Sequence, residues 1–412
     1  MPVPLATGAD APGDQNAAAA SAAGGLPDRT PEELVRRLRA DLASGALDLP
    51  PAGRGRTAER WRAVYAWGAE DLVLAKLRES HTDAVGILTD AGESPVPGAL
   101  YGVWASASGG TGLTAQPDPG REGWLLHGRQ RFASGAHLLD RALVAAPDED
   151  GVVRLLDVPL GETGWSTVAG SWPSIGMDSS DSGEIVATGA PADRELGDPG
   201  WYLTRPGFWV GGIGVAAVWA GGARAVAESL RAGLAERQPD DHQLAHLGAV
   251  SARLLALEST LDRAAVRVDA DPGAEHRALA LAVRELAERT AAEVVDRAGR
   301  AAGPALLSLD RRYAQRVADL AVFVRQSHAE RDLARLAADA LPEPWGELQW
   351  PLPGCARRCL RTCGSATRPS PRCPRPTCPV RGRGCSWSSP IPTTRRSGPG
   401  RRSRSWRGAG PG

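Results

Sequence analysis

Hydrophobic spacing changes character twice along the chain. Thr30-Pro31-Glu32-Glu33 supplies an N-cap, a proline at the first helical position and a capping-box glutamate. Leu34, Leu38 and Leu42 follow at helical spacing. Thr57 opens a second helix with Trp61, Val64 and Tyr65 on one face, running on toward Lys76, the only lysine. Ala91-Gly92 and the prolines at 95 and 97 end this segment, and a surface helix end accounts for His81, lying among Glu79 and Asp83, as well as a functional role does. Between about 99 and 198 short apolar runs alternate with turns, at 100–105, 124–126, 142–146, 152–158 and 184–187. Asp148-Glu149-Asp150-Gly151 has the composition of a hairpin loop between two of them. This is the spacing of a small antiparallel barrel or sandwich rather than of parallel βαβ units. The third part is helical again, in four blocks at 206–234, 243–268, 274–302 and 304–341, which predict a four-helix bundle.

The predicted fold class is α+β, with five stretches in order. A leader occupies 1–28, a helical domain 29–98, an antiparallel β-barrel or sandwich 99–202, the bundle 203–345, and an Arg/Pro/Cys-rich tail 346–412.

Charge separates the tail from the body. The formal net charge of the 412 residues is zero, but residues 351–412 hold 14 Arg, no acid and all six cysteines. Residues 1–350 keep 34 basic and 48 acidic side chains, a net of −14. So acidic a body argues against a nucleic-acid surface. A cysteine-free body fits a reducing cytoplasm, the expected location. The tail has the composition of GC-rich coding sequence read in a shifted frame and is expected not to fold. Its Cys355, Cys359 and Cys363 spacing fits neither a zinc pair nor a ferredoxin run, and no metal site is expected.

Two further patterns have plain readings. Residues 207–223 carry no charge but are shorter than a spanning helix requires, so a buried helix is expected and no membrane span. Gly212-Ile213-Gly214-Val215-Ala216-Ala217 matches a dinucleotide fingerprint, yet it lacks the strand before it and the second strand that the mechanism needs. Its glycines read as close helix packing.

Four local stretches, in this order of elements, resemble the acyl-CoA dehydrogenase family of flavoenzymes. In Tyr101-Gly-Val-Trp-Ala-Ser-Ala-Ser-Gly109, the resemblance puts Tyr101, Val103, Trp104 and Gly109 at flavin-lining positions. In 126–136 it puts Phe132 against the isoalloxazine and Ser134 at the hydroxyl position near flavin N5. Residues 172–182 resemble the family's Gly-Met-Arg-x-Thr-x-Ser segment, and Thr204-Arg205-Pro206 the start of the bundle's first helix. Arg237 and Gln243 bound a shortened signature on the adenine side. The resemblance implies FAD as cofactor, an acyl-thioester-like substrate, an electron acceptor or reductase partner, and a homodimer or homotetramer.

The two places where the family carries its catalytic glutamate are here Ser327 and Thr204. Neither is a carboxylate, and a base must stand within reach of the proton it removes. Thr204, Arg205 and Ser327 are therefore expected at the substrate site, with Glu330 or His328 as the relocated catalytic group. A flavin oxidoreductase transferring hydride is the first expectation. A flavin monooxygenase, which needs no such base but does need a water-excluding site, is the alternative, with a catalytically degenerate flavin-binding relative behind it.

Overall fold

Chain breakers and caps set the helices. In the computed structural model, which describes residues 26–106, 112–120, 122–161 and 163–341, α1 spans Pro31–Ser44. The Thr30 hydroxyl accepts from the Glu33 amide at its start, and Gly45, at φ 74°, closes its end. The expected run from Thr57 past Lys76 is two helices, α2 (Thr57–Glu70) and α3 (Leu72–Asp90). Asp71 adopts extended geometry and its carboxylate caps α3 by accepting from the Leu74 amide at 3.0 Å. Little of α3 is at the surface. His81 is 3% exposed and Glu79 6%, so the surface-end reading of this stretch is wrong. The helix is wedged between the sheets and the bundle, and the Tyr101 amide donates to His81 Nδ1 at 3.1 Å.

Among the described residues eight strands follow: β1 (Tyr101–Trp104), β2 (Gly112–Pro117), β3 (Trp124–Gln130), β4 (Arg141–Pro147), β5 (Val153–Pro159), β6 (Trp165–Val168), β7 (Glu184–Ala192) and β8 (Arg194–Glu195). They form two four-stranded sheets, ordered β1-β4-β5-β8 and β2-β3-β7-β6. Both contribute to one apolar core, with Val144, Leu156 and Val158 from the first and Leu113, Leu126 and Ile185 from the second. The pairing is not wholly antiparallel as expected. β1 runs parallel to β4, because the chain leaves β1 to build β2 and β3 of the other sheet before returning.

After the short helix α4 (Trp201–Thr204) come α5 (Gly207–Ala235), α6 (Asp241–Ala270) and α7 (Arg277–Ala302). Helix α5 is long and apolar enough to cross a membrane, but 72% of its most apolar window is buried inside the protein. The expected fourth bundle helix is three: α8 (Ala305–Leu309), α9 (Arg311–Phe323) and α10 (Glu330–Ala340). Asp310 breaks the first junction and caps α9 through the Tyr313 amide at 2.9 Å. Ser327 is extended and Ala329 has φ 44°, which breaks the second. The fingerprint glycines lie inside α5 but do not make its closest contacts. A Cβ on Gly214 would find its nearest neighbour 3.9 Å away, whereas one on Gly221 would collide with the Tyr65 carbonyl and one on Gly68 with the Val218 carbonyl. The α2–α5 crossing depends on that second pair.

Candidate functional site

Two loops at the end of the β layer lie together, and the first holds two of the sequence-predicted flavin residues, Phe132 and Ser134. Loop 131–139 follows β3, and loop 171–183 precedes β7. They are stitched together by Ala133 N–H to Gly183 O (3.2 Å) and Gly135 N–H to Ser180 O (3.1 Å). Among the described residues five non-glycines have positive φ, and three of them are here: Phe132 (63°), Met177 (57°) and Asp181 (49°). For a bulky aromatic this conformation is strained, and such strain concentrates where function requires it. Phe132 is 46% exposed and its ring stands edge-on to Trp172 at 6.3 Å. An exposed aromatic in a strained turn offers a flat apolar wall.

Beside that wall runs a chain of hydroxyls. Ser180 Oγ donates to Met177 O at 2.7 Å, Ser182 Oγ lies 2.8 Å from Ser180 Oγ, and Ser134 Oγ lies 2.7 Å from Ser182 Oγ. With Ser180 committed to the carbonyl, each hydroxyl can donate to the next, leaving Ser134 at the end with lone pairs free. Gln130 Oε1, two residues before Phe132, is buried with no partner among the described residues. The stretch from Gln130 to Ser134 thus carries an exposed aromatic ring and two acceptors without a donor among the described residues.

Other expected flavin residues are engaged elsewhere. Tyr101 is enclosed, its hydroxyl bonded to the Val96 amide (3.0 Å) and Asp157 (3.3 Å). Val103 is half-buried and its amide donates to Ser80 Oγ at 3.0 Å. Trp104 is buried between the sheets, its Nε1 donating to Ser134 O at 3.1 Å, so it supports Ser134 from behind. Gly109 lies outside the described residues. Arg237 is exposed. Gln243 completes the capping box of α6 and donates to Ala301 O at 2.9 Å.

Of the residues expected at the substrate site, Thr204 Oγ1 donates to the carbonyls of its own turn, at 3.2 Å for Trp201 O. Arg205 is buried, paired with Asp90 at 2.8 Å and stacked over Tyr202. Ser327 Oγ accepts from the Ala329 amide at 3.2 Å. The break between Ser327 and Glu330 removes the expected shared helix face: Glu330 is an exposed residue in the first turn of α10, and His328 lies in the link before it. Burial lowers the His328 pKa, and its ring stands 3.6 Å from Asp332. Arg284 of α7 ties this link to α5, donating to Gly212 O (2.9 Å) and Gln326 O (3.0 Å) while covering Trp219.

Helix α3 relates these loops to a cavity of about 380 Å³. Its Leu77 packs on Gly135 and its Ser80 on β1, while Glu79, Asp83, Gly86 and Asp90 line the cavity with Arg60, Trp61, Trp201 and Arg205. Sequence reading missed Glu79 in this role. A carboxylate within a run of Leu, Val and Ala on both sides of a helix was the available signal. Burial pushes the Glu79 carboxyl up to about 7, against the pull of Lys76 at 3.7 Å.

No protein-family model matches the sequence, and no curated protein matches it. Solved structures do match. TdsC from Paenibacillus sp. A11-2, a dibenzothiophene monooxygenase solved with FMN and indole, aligns at TM-score 0.64 and 20% identity over 78% of this chain and 92% of its own. KijD3, solved with FMN and dTDP-3-amino-2,3,6-trideoxy-4-keto-3-methyl-D-glucose, aligns at 0.61 and 20% over 78% and 96%. A nitrososynthase from Micromonospora carbonacea var. africana aligns at 0.61 and 18% over 76% and 95%. At such identities the likeness is one of fold: this chain has the fold of acyl-CoA dehydrogenase-like flavoenzymes.

Proposed function

We propose that this protein is a flavin-dependent monooxygenase that uses reduced flavin delivered by a partner reductase. The observation that carries the reading is the strained, exposed Phe132 beside the Ser134–Ser182–Ser180 chain, in a fold shared with solved FMN complexes. Phe132 would form the wall of the flavin site, and Ser134 and Gln130 would accept from ring N–H groups. Bound there, the flavin would supply the activation of oxygen. The chain's part is to orient the ring, exclude water and admit the substrate.

Oxygenation is favoured over thioester desaturation because neither Ser327 nor Thr204 is a base, Thr204 donating to its own turn and Ser327 Oγ accepting from the Ala329 amide. FMN is favoured over the FAD expected from the resemblance, because the matched complexes hold FMN and Gln243 is already engaged in its cap. A second reading, a dehydrogenase acting on an acyl thioester, is favoured by one observation, the buried Glu79 carboxylate on the cavity. Oxygen consumption that requires both added reduced flavin and substrate supports the first reading. Bleaching of bound flavin by an acyl-CoA under anaerobic conditions supports the second and overturns the first.

A further inference from the structure

The cavity beneath α3 contains a titratable group that neither the resemblance nor the fold likeness assigns. Glu79 is 6% exposed and lines the cavity wall, one turn along α3 from Asp83, which also lines it. The same lining includes Trp61 of α2, Trp201 of α4, and Val210 and Gly211 of α5, with Gly211 against the Asp83 carboxylate. A cavity of about 380 Å³ with aromatic and glycine walls takes a compact organic molecule. Arg54 also lines the cavity, and two of its other charged groups are committed. Arg205 is paired with Asp90 at 2.8 Å, and Arg60 donates to Thr82 O at 2.9 Å.

We propose that Glu79 is the group that takes a proton from the substrate, a compact molecule with an N–H or O–H whose lone pair must be exposed for reaction. The step is S–H + Glu79–COO⁻ → S⁻ + Glu79–COOH, with no change of oxidation state. For a protonated amine the same transfer leaves the neutral amine and the neutral acid. The proposal rests on the flavin-dependent reading, in which an electron-rich heteroatom is what becomes oxygenated. Burial suits Glu79 to the task, because a carboxyl desolvated in an apolar wall holds a proton more readily than one in water. The charged and titratable groups that act on it are Lys76 and Asp83 on α3, Arg60 on α2, Tyr202 and Arg205 beside α4, and Arg284 on α7.

The test is ligand binding to the full chain without added flavin, so that its outcome is separate from whether flavin binds. Phenol and toluene are matched in shape, and only phenol carries the O–H. Their affinities are measured by calorimetry at about pH 6 and about pH 8.5, either side of the point where a raised carboxyl ionises. In the wild type, phenol should bind about three- to tenfold more tightly at the higher pH, since an ionised acceptor makes the stronger hydrogen bond. Toluene should bind equally at both. In Glu79→Gln, phenol should lose its pH response while toluene binds as in the wild type, which also shows that the variant is folded. A phenol response that is absent in the wild type, persists in Glu79→Gln, or is shared by toluene overturns the proposal. If the response holds and neither oxidised nor reduced flavin binds, the flavin reading alone falls.

Discussion

The Met177 amide donates to the Asp319 carboxylate at 2.7 Å, joining the loop before β7 to helix α9. Asp319 is fully buried and also accepts from Arg29 Nη2 (2.8 Å) and Gln315 Nε2 (2.9 Å). Next to it, Gly176 packs so closely on α9 that a Cβ would collide with Ala318 O. This anchor holds the strained Met177–Ser182 loop against the bundle. Asp319→Ala leaves Arg29 buried without that partner and should cost about 3–5 kcal/mol in urea unfolding. Asp319→Asn, which keeps an acceptor for the Met177 amide, should cost less.

Glycine substitutions in α5 and α2 should separate two roles that look alike in sequence. Gly214→Ala meets no close neighbour and removes a mid-helix glycine, so it should be neutral or stabilising by up to about 1 kcal/mol. Gly221→Ala and Gly68→Ala drive a methyl into a backbone carbonyl of the partner helix and should lower the melting temperature sharply or prevent folding. Thermal unfolding of the three variants checks this.

Glu79 and His81 should oppose one another in the pH dependence of stability. Glu79 holds its proton to about 7 when folded, so its contribution falls as pH rises from its ordinary value toward 7. His81, buried and accepting from the Tyr101 amide, is lowered to about 4, so its contribution rises with pH between about 4 and its ordinary value. Each amounts to roughly 3 kcal/mol at most, and between about pH 4.5 and pH 6.5 they cancel. Glu79→Gln should therefore uncover a stability that climbs with pH over this window, whereas the wild type stays nearly flat. Urea midpoints across the range measure it.

Much of the architecture was legible from local signals. The Thr30 cap, the hairpin loop at 148–151 and the apolar periods of α5 to α7 depend on neighbours in sequence, so the chain announces them. The parallel β1–β4 pair was not legible, because it depends on where two intervening strands go. Breaks at Asp71 and at 327–329 were missed, since one polar residue in a helical pattern reads equally as a solvated face or a cap. At the site, Phe132 and Ser134 could be found from motif resemblance. The Ser182–Ser180 chain behind Ser134 and the Asp319 anchor could not, being long-range contacts between ordinary residue types. Glu79 was misread because its burial comes from the sheets and bundle packed on α3, not from α3 itself.

The acceptor character of Ser134 gives a further expectation. If Ser134 donates to Ser182, it has lone pairs for a ring N–H and no proton to give, which suits reduced flavin better than oxidised. Ser182→Ala frees that proton. The ratio of reduced to oxidised FMN affinity should fall by about three- to tenfold in this variant, as read by fluorescence and anaerobic titration.

The central claim is that a flavin docks on Phe132 and Ser134, and titration of the purified full chain with reduced and oxidised FMN tests it most directly. The account predicts saturable binding of reduced FMN, weakened at least tenfold by Phe132→Ala, in a variant whose circular dichroism matches the wild type. Reduced FMN that fails to bind the folded wild type, or binds Phe132→Ala equally well, would contradict it.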